Sequence, residues 1–149
     1  MILNLNKGCF VMIVKCINNI TYEFELIGLN DKDGDPIISN YYNNIGEKCT
    51  YSIDVNECYN VYAIAMINNE LHYLLIGNLG YPQFYKVKLF EIVENDIYDL
   101  NIVKTFDNEF ISYLITNDYL SNIETIKKII RRDDEELLRF YNYSKIKKI

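Results

Sequence analysis

Alternating apolar and polar side chains predict strands in roughly the first two-thirds of the chain. Residues 10–17 are rich in β-branched side chains, and residues 21–29 alternate apolar with polar positions, which is typical of strands with one buried face. Asn18 and Asn19 lie between them, and asparagine tolerates the left-handed backbone that tight turns require. We therefore expect these two segments to form a hairpin.

A second hairpin is predicted from residues 59–67 and 71–76, with its turn at residues 68–70. A glycine- and proline-containing turn at residues 77–82 then leads into an aromatic strand that ends near Val93. About five short antiparallel strands of this kind favour a small, strongly curved sheet that closes into a barrel.

Beyond Glu94 the apolar spacing becomes helical. Ser121 with Glu124, and Asp133 with Glu136, match the capping box, in which an oxygen acceptor precedes a helix and a carboxylate follows three positions later. The two predicted helices span about residues 122–131 and 134–146.

Residues 106–119 fit either a strand or a third helix, and the spacing of Phe110, Tyr113 and Leu114 favours the helix. The predicted fold class is therefore α+β, with a β part over about residues 9–93 and a helical part over about 102–147. No linker separates the two parts, so residues 1–149 are expected to form a single domain.

The charge balance restricts the classes of partner. A net charge of -6 and a pI near 4.8 argue against general nucleic-acid binding, which depends on lysine and arginine contacts with phosphates. The same field favours basic protein partners. No apolar stretch approaches the length of a membrane-spanning helix, and Lys15 interrupts the N-terminal apolar run before it resembles a signal peptide. A cytoplasmic location is expected.

The residue types that carry catalysis or bind metals do not form a recognisable set. The single histidine, His72, lies in a predicted strand, where we expect it to hydrogen-bond to a neighbour. Four cysteines without paired CxxC spacing are expected to be free thiols in core or half-buried positions: Cys9, Cys16, Cys49 and Cys58. We predict no catalytic residue, metal or cofactor. An enzyme with a cryptic site around His72 and the cysteines remains an alternative.

An acidic loop begins like a calcium-binding EF-hand and then departs from it. Asp31, Asp33 and Asp35 have the required alternation, but Pro36 replaces the glycine of the sixth position and Tyr42 replaces the closing glutamate. Without that bidentate ligand, the loop is better explained as an acidic turn that faces solvent or a basic partner.

Aromatic residues exceed what a small barrel core can hold, so some of them should lie on its surface, although core packing is the alternative for each. Together with nearby acids they would form an acidic, tyrosine-rich docking surface. The predicted partner-binding residues are Asp31, Asp33, Asp35, Tyr41, Tyr42, Tyr81, Phe84, Tyr85 and Glu91.

Several segments resemble small SH3-like barrel proteins of bacteria. The matching segments are YNVYAI at 59–64, LHYLL at 71–75, GYPQFY at 80–85, LFEIV at 89–93 and the C-terminal DDEELLRFYN at 133–142. The resemblance covers about residues 55–142 and its motifs are structural. Some proteins of this kind are encoded beside polymorphic or contact-dependent toxins, where small acidic partners act as immunity proteins.

The absence of a catalytic residue set, the negative charge and this resemblance together indicate a non-enzymatic binding protein that occludes a basic site on a toxin domain. It would act as a monomer or a homodimer, without nucleic acid or membrane. The long excursion at residues 30–51 lies outside the resemblance and is a candidate for partner specificity. The alternative function is a virus- or phage-encoded inhibitor of a host defence protein, which the small size and the composition rich in Asn, Ile, Lys and Tyr also fit.

Overall fold

A computed structural model describes residues 12–22, 48–94 and 100–147. The strands in these ranges are β1 (Met12–Cys16), β2 (Ile20–Tyr22), β3 (Lys48–Thr50), β4 (Cys58–Val61), β5 (Ala63–Ile67), β6 (Glu70–Ile76), β7 (Pro82–Lys86), β8 (Phe90–Glu94), β9 (Ile102–Thr105) and β10 (Ile111–Thr116). The helices are α1 (Ile123–Ile130) and α2 (Asp134–Lys147), with short 3₁₀ helices at Val87–Leu89 and Tyr119–Ser121.

The α+β class is confirmed. The strands form a five-stranded sheet in the order β7-β6-β5-β10-β9, a three-stranded sheet in the order β4-β1-β8 and the pair β2-β3. All the pairings are antiparallel. The sheets are open rather than closed into a barrel, so the predicted five-stranded SH3-like barrel is not confirmed.

The predicted second hairpin is confirmed as β5 and β6, which pair from Ala63 with Leu74 to Ile67 with Glu70. Its two-residue turn has positive φ at both Asn68 (53°) and Asn69 (63°). A two-residue hairpin turn of this hand requires positive φ at both central positions, and asparagine tolerates that conformation better than most residues.

The predicted N-terminal hairpin is wrong. β1 lies between β4 and β8, while β2 pairs with β3. The backbone N–H groups of Ile17 and Asn18 both donate to the carbonyl of Leu89, and the Asn19 amide donates to the carbonyl of Ile53 at 2.8 Å. These contacts hold the connection against segments far along the chain instead of reversing it onto β1.

The preference for a helix within residues 106–119 is also wrong, because this segment contains β10, and β9 precedes it. The pairing of β10 with β5 shifts between Ile111 and Tyr113, which makes Ser112 the extra residue of a bulge. A bulge interrupts the two-residue alternation of a strand. Ile111 and Leu114 therefore lie in the same core although they are three positions apart, a spacing that imitates a helix.

Both predicted helices are confirmed, but only one of the predicted caps is. The Asp133 carboxylate accepts a hydrogen bond from the N–H of Glu136 at 3.0 Å, as the capping box predicts. At α1 the N-cap is Asn122, whose side chain accepts from the N–H of Glu124 at 2.8 Å. Ser121 instead donates to the carbonyl of Asp118.

The five-stranded sheet carries a core on each face. On one face, α1 and α2 cover a core that includes Leu74, Phe84 and Phe140. On the other, the three-stranded sheet covers a core that includes Val14 and Tyr85. Because both faces of β7 are covered, its consecutive residues 82–85 are all buried.

Candidate functional site

The predicted docking residues fall into three groups. Five of them lie outside the residues that the structure describes: Asp31, Asp33, Asp35, Tyr41 and Tyr42. Two are in the interior, and two are at the surface. The acidic turn and the tyrosine pair that follows it therefore stay predictions.

Phe84 and Tyr85 are core residues, which corrects their placement on a docking surface. Phe84 is 1% exposed and lies in the core beneath the helices, whereas Tyr85 is 2% exposed and lies in the opposite core. The Tyr85 hydroxyl donates to the side-chain carbonyl of Gln83 at 3.0 Å. Neither side chain can contact a partner in this arrangement, since layers cover both faces of β7.

Tyr81 is 38% exposed and lies beside the junction of the two helices. The guanidinium carbon of Arg132 lies 4.1 Å from the centre of its ring, within the range of a cation–π contact. The hydroxyl of Tyr141, on α2, donates to the carbonyl of Gly80 at 2.6 Å. Tyr81 thus belongs to the helical side of the five-stranded sheet.

Glu91 lies on the other side of that sheet, on β8 of the three-stranded sheet. Tyr81 and Glu91 therefore do not share one docking surface. We define the acidic edge as Glu91, Ile92, Val93 and Glu94, all of which are exposed. Ile92 is 51% exposed and Val93 is 52% exposed, which is unusual for consecutive apolar residues of a strand. Among the described strands, β8 is the last in its sheet.

A bulge places the two glutamates of the acidic edge on the same face. Ile13 pairs with Glu94 and Lys15 with Glu91, while Val14 pairs with Ile92, so that Val93 is the extra residue. Ile13 and Lys15 point to one face of β1 because side chains alternate along a strand. Their partners Glu91 and Glu94 share that face, although a spacing of three would otherwise put them on opposite faces.

The carboxylate of Glu91 already forms an ion pair within the chain. The ammonium of Lys15 lies 3.0 Å from Glu91, and the two side chains are 36% and 54% exposed. An exposed ion pair of this kind contributes little to stability, about 0.2–1 kcal/mol. A cation supplied by a partner can therefore compete with Lys15 at a small cost.

His72 and the described cysteines do not assemble a catalytic site. His72 is 5% exposed, and its Nδ1 lies 2.8 Å from the carbonyl of Glu70, so the predicted strand histidine with a neighbouring hydrogen-bond partner is confirmed. Burial lowers its pKa. Cys16 is buried in the core on the opposite face of the sheet, and burial raises the pKa of its thiol. Cys58 is exposed, contrary to the prediction.

A cleft of about 370 Å³ lies where β4 leads into β5, and it is lined by Cys58, Tyr59, Asn60, Tyr62 and Ile76. The hydroxyl of Tyr59 donates to the side chain of Asn78 and accepts from the N–H of Asp54. These two hydrogen bonds hold the ring of Tyr59 in place as one wall of the cleft. No sequence motif marks the cleft, because its wall combines β4 with the distant end of β6.

An apolar patch on the five-stranded sheet is a second surface feature that was not predicted from the sequence. Tyr113 pairs with Met66, which pairs with Leu71, so these three side chains share the face that carries the three-stranded sheet. Tyr113 is 39% exposed and Leu71 is 41% exposed. The alternation of β10 could have indicated this patch if the segment had been assigned as a strand.

Within the described ranges, His, Cys, Asp and Glu side chains form no group of three that could hold a metal ion. None of the helices described is long and apolar enough to cross a membrane. Comparisons with models of protein families, with curated proteins and with solved structures give no match for this chain. The functional argument therefore rests on the acidic edge itself.

Proposed function

We propose that this chain is a non-enzymatic protein-binding module of immunity type, which uses its acidic edge to occlude a basic site on a toxin domain. The observation that carries the proposal is the bulge at Val93, which aligns Glu91 and Glu94 on one face of an outer strand. Ile92 and Val93, which lie between them in sequence, are also exposed, and the Ile92 side chain points to the opposite face.

This combination suits a protein partner. Two aligned carboxylates on a chain with a net charge of -6 attract a basic surface and accelerate encounter with it. Burial of the apolar pair contributes about 25 cal/mol per Å² of surface removed from water. The charges thus favour a basic partner, and the apolar pair slows its release.

The proposal places this action in the cytoplasm, where a toxin domain would meet its target. The alternative function, inhibition of a host defence protein, would use the same edge against a different basic partner. Genomic neighbourhood distinguishes the two, because an immunity protein is encoded beside its toxin.

Binding measurements with purified components test the proposal. The partner is the toxin-like C-terminal domain encoded by the reading frame directly upstream, and the observable is the dissociation constant at low and high salt. We expect the double variant Glu91→Lys/Glu94→Lys to bind at least about tenfold more weakly, since each exposed charge pair contributes about 0.2–1 kcal/mol and its reversal adds repulsion. Added salt should slow association of the wild-type chain.

Glu135→Lys provides the matched control, because Glu135 lies on α2 and its side chain is 83% exposed. This variant changes the net charge by +2, the same as Glu91→Lys or Glu94→Lys alone and half the +4 of the double variant, at a site away from the acidic edge. It should bind nearly as the wild type does, whereas each single reversal at the edge should weaken binding. Equal weakening by all the charge reversals would mean that only net charge matters. Absence of binding to the toxin domain would contradict the proposed function.

A further inference from the structure

We propose that the acidic edge recognises an extended basic segment of its partner, which adds to β8 as a new strand of the three-stranded sheet. This inference rests on the proposed function and specifies the partner's conformation and chemistry. It follows from the direction of the backbone groups of β8, the exposure of its side chains and the distribution of charge on its two faces.

Two hydrogen bonds establish which backbone groups of β8 point outward. The N–H of Ile17 donates to the carbonyl of Leu89 at 2.8 Å, and the N–H of Cys16 donates away from β8, to the carbonyl of Glu57 at 3.0 Å. In an antiparallel pair, hydrogen-bonded and non-hydrogen-bonded residue pairs alternate. Glu91 therefore bonds to β1, whereas the N–H and C=O of Ile92 point away from it.

The neighbouring residues agree with this assignment. Val14 pairs with Ile92, and Cys16 with Phe90, as the non-hydrogen-bonded pairs of the ladder. The N–H of Phe90 is occupied, because it donates to the carbonyl of Val87. An incoming strand would thus find the carbonyl of Phe90 and both backbone groups of Ile92.

Among the residues that the structure describes, no strand pairs with this side of β8, and side-chain exposure agrees with that. In a strand with neighbours on both sides, adjacent side chains shield one another, as on β1, where Ile13 and Lys15 are only partly exposed. All four residues of the acidic edge are exposed. An outer strand with outward N–H and C=O groups is a template for an added strand, a recurrent mode of peptide recognition.

The two faces of β8 define the chemistry of the added strand. Glu91 and Glu94 lie on one face, and Ile92 lies on the other. Directly opposed side chains of opposite charge stabilise a pair of strands, and so do opposed apolar side chains. The occupant should therefore alternate lysine or arginine with β-branched residues.

A second copy of this chain fits the edge less well. Antiparallel self-pairing through the outward backbone groups sets Ile92 of one copy opposite Ile92 of the other and Glu91 opposite Val93, so Glu91 of neither copy meets a cation of the other. Each copy also carries a net charge of -6, which opposes association of two like chains. The bulge at Val93 also bends the strand away from regular self-pairing, a device that protects outer strands from aggregation.

A seven-residue peptide that alternates lysine and valine is a direct probe, read by amide hydrogen exchange of the full chain. In the free protein we expect the amide of Ile92 to exchange rapidly and that of Glu91 slowly. A saturating amount of peptide should slow exchange at Ile92 at least about tenfold, the effect of a new hydrogen bond of about 1.4 kcal/mol. Slow exchange at Ile92 without peptide would overturn the proposal, because this side of the strand would then be occupied already.

Backbone N-methylation separates strand addition from charge attraction. Two peptides of identical charge carry N-methyl groups at alternate positions, in opposite phase. In one peptide the methylated nitrogens are those that would face β8, and in the other they face away from it. Only the first peptide should lose binding. Equal binding of both peptides would show attraction without strand pairing and would overturn the proposal.

The variant Ile92→Pro tests the same point on the protein. Proline removes an N–H that β1 does not use, and it is tolerated on outer strands. The chain should therefore remain folded, while its affinity for the peptide falls at least about tenfold. Ile92→Thr keeps the N–H and is the control for the lost isoleucine side chain; it should keep most of the binding. A dimer that Ile92→Pro dissociates would identify a second copy as the occupant and overturn the proposal.

Failure of this inference can be told apart from failure of the proposed function. Suppose that the toxin domain binds Ile92→Pro as tightly as the wild type but binds Glu91→Lys/Glu94→Lys weakly. The strand-addition inference is then wrong, and the docking function stands. If the toxin domain does not bind the wild-type chain while the peptide does, the function is wrong and the strand-adding edge stands.

Discussion

Replacement of Phe140 by alanine tests whether α2 holds the helical layer against the five-stranded sheet. Phe140 has no exposed surface, and its ring centre lies 5.1 Å from that of Tyr62 in an edge-to-face contact. Truncation of a buried phenylalanine removes apolar burial and leaves a cavity, which together cost about 3–5 kcal/mol. That is a large share of the roughly 5–15 kcal/mol by which domains are stable.

Urea denaturation measures this effect. With a slope of about 1–3 kcal/mol per M, the expected loss lowers the midpoint by roughly 2 M while the slope stays unchanged. Leu138→Ala is the control on the same helix: Leu138 is 62% exposed, so its truncation should change stability by about 0.5 kcal/mol or less. Similar losses in the two variants, or a loss below about 1 kcal/mol for Phe140→Ala, would refute the reasoning.

Two further predictions concern the turn before β7 and the buried histidine. Gly77→Ala should destabilise the chain by about 1–3 kcal/mol in the same urea assay, because a Cβ there would lie 2.6 Å from the Tyr85 hydroxyl; Gly80→Ala meets nothing within 4 Å, and its cost comes only from a φ of +82°. Burial lowers the pKa of His72 in the folded chain below its ordinary value of 6.5. At a pH between these two pKa values the unfolded chain binds more protons than the folded chain. The free energy of unfolding therefore falls as the pH drops through this range. His72→Gln should flatten this part of the stability profile measured from about pH 7.5 to about pH 5, and an unchanged profile would contradict the assignment.

Local sequence signals predicted the elements that local interactions determine. The turn at Asn68 and Asn69 requires positive φ, and asparagine supplies it, so the hairpin of β5 and β6 was predictable. The Asp133 carboxylate caps α2 by a bond within the first turn, and that helix was predictable for the same reason. Such features depend on neighbours in sequence rather than on the rest of the fold.

The errors arose where distant pairing decides the structure. β1 pairs with β4 and β8, and nothing in its own residues distinguishes these partners from the adjacent segment. The bulge at Ser112 gives β10 an apolar spacing that resembles that of a helix, so the segment was assigned to the wrong element. Phe84 and Tyr85 were placed on a surface because one small barrel core could not hold so many aromatic residues, whereas the sheet carries a core on each face and buries one of the two in each.

The candidate site was predictable only in part. Glu91 was identified from its charge and is exposed, but its alignment with Glu94 depends on the bulge at Val93, which is visible only in the register of β8 against β1. A spacing of three along a regular strand would have separated the two carboxylates. The surface therefore comes from tertiary pairing.

Survival of cells that express the toxin-like domain of the upstream reading frame tests the central claim most directly. We expect the wild-type chain and Glu135→Lys to restore growth, and Glu91→Lys/Glu94→Lys to fail although it accumulates as a folded protein. Failure of the wild-type chain to rescue growth, or full rescue by the double variant, would contradict an immunity function carried by the acidic edge.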